Sequence, residues 1–365
     1  MKIRFRNLAI DDQAHKADLM AAVSRVLDHG QLIAGPEIER FEEAFASRCN
    51  QKHCVAVGSG TSALYLALRA IDIGPGDEVI TTPLSWISTL QAIMATGATP
   101  VFADIGDDLN MDAEKVEALV TPFTRAIVPV HFNGRLCNMK TLGEVSQRRE
   151  LAIIEDAAQA FGARANGQVA GSFGTIAAFS LNPMKNPAGF GEAGAIVMDS
   201  EELRDRLRRL RQVGMEAGEV CVEPSLNFKM DALQAALIGV NLKRTEEITK
   251  RRLEVALRYT EALAGLVKCP AVEDDQDRPS VFFDYTILTE QRDDLMAHLE
   301  GCGIEVKIKH TPLMPDQPAF RNTLQAEVPN AHHLVDKILC LPIHEKLTDQ
   351  EISYVIDVIR GFFSA

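Results

Sequence analysis

A lysine in a rigid turn, an acidic pair closing an apolar run, and a loop of glycines and hydroxyls are the residues best placed for chemistry. The loop Val57-Gly58-Ser59-Gly60-Thr61-Ser62-Ala63-Leu64 follows a short apolar run and opens a helical pattern. Free amides in the first turn of a helix, with hydroxyls beside them, cradle phosphate. Gly58-x-Gly60-x-x-Ala63 also fits a dinucleotide fingerprint, with Asp77 or Glu78 as the ribose acid. Alone, the loop leaves a nucleotide, a smaller phosphate or a plain capped helix open. In Ile153-Ile154-Glu155-Asp156-Ala157-Ala158-Gln159-Ala160, an apolar strand carries two acids to its C-terminal end, where open α/β sheets bind ligands. Asp156 there is either a helix N-cap or a carboxylate that holds a proton on a heteroaromatic nitrogen. In Phe179-Ser180-Leu181-Asn182-Pro183-Met184-Lys185-Asn186-Pro187-Ala188-Gly189, two prolines and a glycine build a turn around Lys185. Burial lowers the pKa of such an amine and frees it as a nucleophile. A lysine, an acid and a phosphate cradle together are what a pyridoxal phosphate (PLP) site requires.

The elements that must position these groups follow from hydrophobic pattern. Between Val55 and Val197, short apolar runs (54–57, 79–82, 100–103, 126–130, 152–154, 177–181 and 195–198) alternate with helical stretches. That alternation predicts an α/β fold with a mostly parallel seven-stranded sheet covered by helices. Helices are expected over 17–29, stopped by Gly30, and from Pro36 through Phe45. One long helix or two should run from Met230 to Leu263. Beyond it come a strand over 280–288, a helix over 292–302, a strand over 304–310 and helices near 330–339 and 348–363. The expected division is a large domain, 1–240, that includes the N-terminal helices, and a smaller α+β domain, 241–365. The chain has 365 residues and a formal net charge of −13, which opposes nucleic acid and anionic membranes as partners. No apolar run approaches the ~20 residues of a spanning helix. Seven scattered cysteines without CxxC spacing, and no secretory signal, lead to the expectation of a cytoplasmic protein with reduced thiols. The nine histidines show no HxxxH or HExxH spacing, so no metal site is expected.

Four blocks, in order, resemble the DegT/DnrJ/EryC1/StrS family of sugar aminotransferases, PLP enzymes of the aspartate-aminotransferase fold (fold type I). They are Gly60-Thr61-Ser62-Ala63-Leu64, Glu155 through Ala160, Phe179-Ser180 through Lys185, and Asn227-Phe228-Lys229-Met230. The likeness runs from Gly35-Pro36 to Leu341-Pro342-Ile343-His344. It implies that Lys185 is the Schiff-base lysine and the proton-transfer base, and that Asp156 keeps the pyridine nitrogen protonated. It places Gln159 close to the ring and Trp86 stacked on it; for the only Trp, core packing is the competing role. Gly60, Thr61, Ser62 and Ser180 match the phosphate cradle. Asn227 matches a phosphate contact donated by the neighbouring subunit, which implies a homodimer with shared active sites; alternatively it caps the helix after Met230.

Departures from the family pattern are informative. Gly191-Glu192-Ala193-Gly194 has alanine where glycine is usual, tolerable unless φ is positive there. Lys185 argues against the dehydratase branch, which has histidine. In Gly303-Ile304-Glu305-Val306-Lys307-Ile308-Lys309-His310, the family more often shows Arg and then His-Tyr. Strand alternation would put Lys307 and Lys309 on one face, either as a solvated edge or, with His310, as a cationic rim for an anionic substrate. His131 is expected to be structural. The resemblance implies transfer of an amino group from L-glutamate to a keto-sugar, most often a nucleotide-linked 3- or 4-keto sugar for polysaccharide, lipopolysaccharide or secondary-metabolite synthesis. The alternatives are a free keto-sugar acid such as a keto-octulosonate, a cyclitol ketone, or a non-catalytic PLP-binding regulator. A nicotinamide dehydrogenase would use the Gly58–Ala63 loop and leave Lys185 idle.

Overall fold

The structure is a computed structural model that describes residues 1–216, 220–271 and 280–364. Its main sheet contains β1 (His53–Val57), β2 (Glu78–Thr81), β3 (Thr99–Phe102), β4 (Thr124–Val128) and β5 (Ala152–Asp156). A two-stranded hairpin, β6 (Arg164–Ala165) and β7 (Gln168–Val169), precedes β8 (Ile176–Ser180) and β9 (Gly194–Met198), which complete the sheet. The order is β1-β9-β8-β5-β4-β2-β3, and only β9 runs against its neighbours. The seven-stranded, mostly parallel sheet of the sequence reading is therefore present.

Side-chain alternation explains why both faces need helices. Ala56, Ala177, Phe179, Ala195 and Val197 face one core, with Phe41 and Phe45 of the helix Pro36–Arg48. Val55, Val57, Ile176, Ala178 and Ile196 face the other, with Leu64 and Leu68 of the helix Gly60–Ala70 and Leu207 of Glu201–Arg211. Such two-sided burial removes the polar face that an exposed sheet would keep. Phe45 anchors the first core, its ring centroid 4.9 Å from Phe161 and 5.2 Å from Phe179. The first helix, Gln13–His29, begins earlier than its apolar pattern suggests, because Asp12 accepts hydrogen bonds from the amides of Ala14 and His15. It ends at Gly30, whose φ of +72° closes it.

After Met230 the chain forms Ala232–Asn241, a 3₁₀ turn at Leu242–Arg244, and Thr245–Leu263. A two-stranded antiparallel sheet follows, from β10 (Tyr285–Leu288) and β11 (Ile338–Leu341). It packs with the helices Thr245–Leu263, Arg292–Gly301 and Asp349–Ser364 around Tyr259 and Tyr285. The N-terminus joins this core: Ile3 is fully buried there and pairs with Ile304. Two readings of this region change. Residues 338 and 339, placed by their pattern at the end of the helix expected near 330–339, instead open the strand Ile338–Leu341, since four apolar residues in a row carry no diagnostic period. The helix Pro329–Val335 ends before it. The strand expected over 304–310 reduces to single bridges at Ile304 and Lys307, because His310 takes φ +64° and breaks the extended run. No helix among the described residues is long and apolar enough to cross a membrane.

Candidate active site

Strand β5 splits its acidic pair between two jobs. Glu155 is fully buried and fully satisfied, accepting hydrogen bonds from the amides of Gly171, Phe173 and Gly174, each at 2.8 Å. His131 completes this set, with Nε2 at 2.9 Å from Glu155 while Nδ1 accepts the Cys137 amide. That arrangement fixes the Nε2–H tautomer and makes His131 structural. Asp156, the next residue, takes the opposite direction and lies at the strand's C-terminal end. No helix follows it, so it is not a helix cap. Its Oδ2 accepts the Thr89 hydroxyl at 2.8 Å and its Oδ1 the Ala158 amide at 3.2 Å. Burial raises its pKa, and those two hydrogen bonds together with Lys185 and His131 oppose the rise. A carboxylate held in this way gains from a cationic N–H partner.

Lys185 sits in the turn after β8, held by its amide bond to the Asn182 carbonyl and by Gly189 N–H to the Leu181 carbonyl. Its Nζ stands 4.1 Å from the centroid of the Phe283 ring. Burial pulls its pKa down from 10.5 to about 8, against the attraction of Asp284 and Asp156 and with the help of Lys309 and Arg6. Asp156 and Lys185 therefore share one electrostatic environment. The free amine is the nucleophile, so capture of an aldehyde by the ligand-free protein should rise about tenfold per pH unit below pH 8 and level off above it. Stopped-flow mixing with PLP measures this; a midpoint near the ordinary lysine value would contradict the burial of the amine.

The glycine–hydroxyl loop forms as a helix start. Ser59 caps Gly60–Ala70, its hydroxyl accepting the Ser62 amide at 3.0 Å and meeting the Ser62 hydroxyl at 2.8 Å. Thr61 reaches Ser88 at 2.8 Å, which ties the loop to the segment that carries Trp86. The loop is pressed against the end of β8: a Cβ on Gly60 would lie 2.6 Å from the Ser180 Cβ, and one on Gly194 would lie 2.3 Å from the Ser59 carbonyl oxygen. Glycine is required at both places, and Ser180 is thereby packed against the loop. Ala193 has no positive φ and is fully buried, so the departure from glycine there carries no strain.

Trp86 is 66% exposed, which excludes core packing for the chain's only Trp. Gln159 is buried and accepts the Asn133 amide at 2.8 Å. Asn227 is exposed, caps no helix and accepts its own Lys229 amide at 3.3 Å, while Phe228 binds the Gly58 amide beside β1. Asn227 thus lies at the sheet edge and not in the Asp156–Lys185 cluster of its own chain. The expected cationic rim is also rearranged. Lys307 is exposed, and among the described residues it pairs only through its backbone, with Cys340. Lys309 instead turns inward, 2.6 Å from the fully buried Asp284, which also binds Arg6 at 2.5 Å. A buried carboxylate needs such counter-charges, and this need overrides simple strand alternation. His310 contacts Phe132 edge-on, and burial together with Lys309 lowers its pKa to about 4, so it is neutral near pH 7. Sequence reasoning missed Thr89, Phe283, Asp284 and Arg6. Thr89 falls inside the Trp86 motif and was within reach; the other three lie far from every motif.

These residues fit PLP. The glycine-tight cradle, the buried carboxylate and the lysine of lowered pKa are the group types that its phosphate, ring nitrogen and aldehyde would need. No group of three or more metal-ligating side chains occurs among the described residues. The family model for DegT/DnrJ/EryC1/StrS aminotransferases matches residues 13–360. A dTDP-3-amino-3,4,6-trideoxy-alpha-D-glucose transaminase of Streptomyces venezuelae is 38% identical over 364 residues, covering 98% of this chain and 96% of that protein. The solved structure of S. venezuelae DesV superposes with a TM-score of 0.96 at 38% identity, covering 100% of this chain and 99% of that one. NtdA from Bacillus subtilis, solved with bound cofactor PMP, gives a TM-score of 0.90 at 29% identity over 100% of this chain and 86% of its own. With a matched region that spans nearly the whole sequence and includes Asp156 and Lys185, the chain belongs to the DegT/DnrJ/EryC1/StrS aminotransferase family.

Proposed function

We propose that this protein is a PLP-dependent transaminase that moves the amino group of L-glutamate onto the keto carbon of a nucleotide-linked sugar. The observation that carries the reading is a lysine amine of lowered pKa that shares its environment with a buried strand-end carboxylate. PLP, when bound, supplies an aldehyde that accepts the amino group and a ring that takes up the electrons of a deprotonated carbon. Gly60, Thr61, Ser62 and Ser180 would hold its phosphate, and Trp86 and Gln159 would pack against its ring. Asp156 keeps the proton on the ring nitrogen, and Thr89 aims the carboxylate. Lys185 would hold the aldehyde carbon before turnover, and its freed amine would then take the proton from the Cα of glutamate and deliver it to the former aldehyde carbon. The same lysine reverses those transfers on the sugar carbon. Glutamate and keto-sugar leave as 2-oxoglutarate and amino-sugar. Asn227, exposed at the sheet edge, would contact the phosphate of a second copy, and the working unit would be a homodimer with shared sites. Lys309 and His310, close enough to Lys185 to interact with its charge, are assigned to the substrate side, and the exposed Lys307 is left out of it. The boundary between 240 and 241 belongs to the same proposal, with the lysine on one part and Asp284 and Lys309 on the other.

The test is a two-step reaction. Glutamate should bleach the yellow holoenzyme and release one 2-oxoglutarate per site. A panel of dTDP-, UDP- and GDP-linked 3- and 4-keto sugars should then restore the colour. Restoration only by a free keto-octulosonate or a cyclitol ketone would replace the substrate class. A bound cofactor that glutamate leaves unchanged would favour a regulator.

A further inference from the structure

A buried guanidinium beside this site has no partner. Arg252, on the helix Thr245–Leu263, is 6% exposed, and its Nε is a buried donor without an acceptor. Among the described residues the guanidinium makes no ion pair, and its Nε alone is both enclosed and without an acceptor. Burial and the neighbouring Arg6 pull its pKa down to about 10, which still leaves it charged at neutral pH. Among the described residues no carboxylate forms an ion pair with it, although Glu345 and Asp284 attract it. The single carboxylate of Asp284 is already shared by Arg6 and Lys309. Glu345 attracts Arg252 but forms no ion pair with it.

Arg252 and Lys185 both line one cavity of about 930 Å³, a size that accommodates a small-molecule ligand. Its wall reverses the sign of the whole chain: seven Lys and Arg side chains face five carboxylates, in a protein of net charge −13. Several of those cations are occupied. Arg244 lies 3.8 Å from Asp12 and 3.7 Å from Glu247, and Arg251 lies 3.1 Å from Glu254 and 3.0 Å from Asp349. Lys346 donates to the Ala9 carbonyl. Lys250 also has no ion pair among the described residues but is exposed to water, so Arg252 is the buried arginine left over, and a buried cation without a counter-charge is destabilising unless a ligand supplies one. The planar fork of a guanidinium matches carboxylate and phosphate oxygens, two bonds at a time.

We propose that Arg252 anchors an oxyanion of the substrate, a carboxylate or a phosphate, in the cavity it shares with Lys185. The inference rests on the transaminase reading, in which the anion comes either from a dicarboxylate amino donor or from the diphosphate of a nucleotide-linked sugar. The holoenzyme and its Arg252→Met and Arg252→Lys variants are titrated calorimetrically with dTDP and, separately, with glutarate, neither of which can be aminated. Arg252→Met should raise Kd about 10- to 100-fold for at least one probe, and Arg252→Lys should recover part of the loss. The cofactor absorbance should stay unchanged. The thermal midpoint should not fall, since an unpaired buried charge is removed. A loss confined to dTDP assigns Arg252 to the diphosphate; a loss confined to glutarate assigns it to the carboxylate. Unchanged Kd for both probes, or a collapse of the midpoint that shows a structural role, overturns the inference. A wild-type protein that carries PLP yet binds neither probe removes the substrate class and this inference with it. A wild-type protein that takes up no PLP removes the transaminase reading first.

Discussion

Replacing Lys185 by alanine should abolish turnover while leaving the protein folded and able to hold PLP without a covalent bond. General-base action alone contributes about 10²–10⁴-fold, and the lost nucleophile adds to it, so kcat should drop by at least about 10⁴. The fold should tolerate the change. The turn is held by backbone bonds from Lys185 to Asn182 and from Gly189 to Leu181, none of which uses the lysine side chain. Removing a cation whose pKa is lowered by burial also relieves a penalty. That penalty is fully present below pH 8, where the folded protein must keep the amine charged, and fades towards the ordinary lysine value of 10.5. The variant's apoprotein should therefore match or exceed the wild-type thermal midpoint at pH 7, with the advantage vanishing by about pH 10.5. Steady-state amination and thermal melts over that range check both parts. Activity within tenfold of wild type would remove the lysine from the reaction.

The second large effect is expected at Asp156. Its substitution by asparagine leaves an uncharged group facing the cofactor's ring nitrogen, which then loses its proton and its capacity to take up electrons. Loss of one such electrostatic partner costs about 10²–10³-fold in kcat, and Asp156→Asn should lose at least that much. The neighbours can adapt, because the Thr89 hydroxyl, which now donates to Asp156, is also linked to Ser85 at 3.1 Å and can turn round to accept from an amide. Stability should not suffer. The Asp156 carboxyl has a pKa raised by burial, so its ionised form weakens the empty protein above that pKa, and asparagine lacks the charge. Rapid-mixing measurement of the glutamate half-reaction, together with a melt of the apoprotein, separates a chemical defect from a folding one. A normal rate in this variant would make Asp156 a turn residue only.

The parts of the site legible in the sequence are those in which chemistry and local backbone share a few consecutive residues. Asp156 follows from an apolar run that must end at the sheet's C-terminal edge. Lys185 follows from prolines and a glycine that force a turn there. The hydroxyl loop follows from its place between a strand and a helix. What could not be read is charge pairing across the chain. Arg6 and Lys309 meet at Asp284 from positions hundreds and tens of residues away, and no spacing rule predicts which carboxylate will be buried. The same cause undid the reading of 304–310: a strand pattern was present, yet His310 takes a positive φ and Lys309 folds inward to a carboxylate. Trp86 shows the converse: residue type alone left core packing open beside a stacked ring, and its 66% exposure excludes the core.

Reduction of the holoenzyme with borohydride, followed by proteolysis and mass spectrometry, tests the central claim most directly. A single phosphopyridoxyl group on the peptide that contains Lys185, absent when glutamate is added before the reductant, is the predicted result. A label on another lysine, or no label on a protein that retains its cofactor, would contradict it.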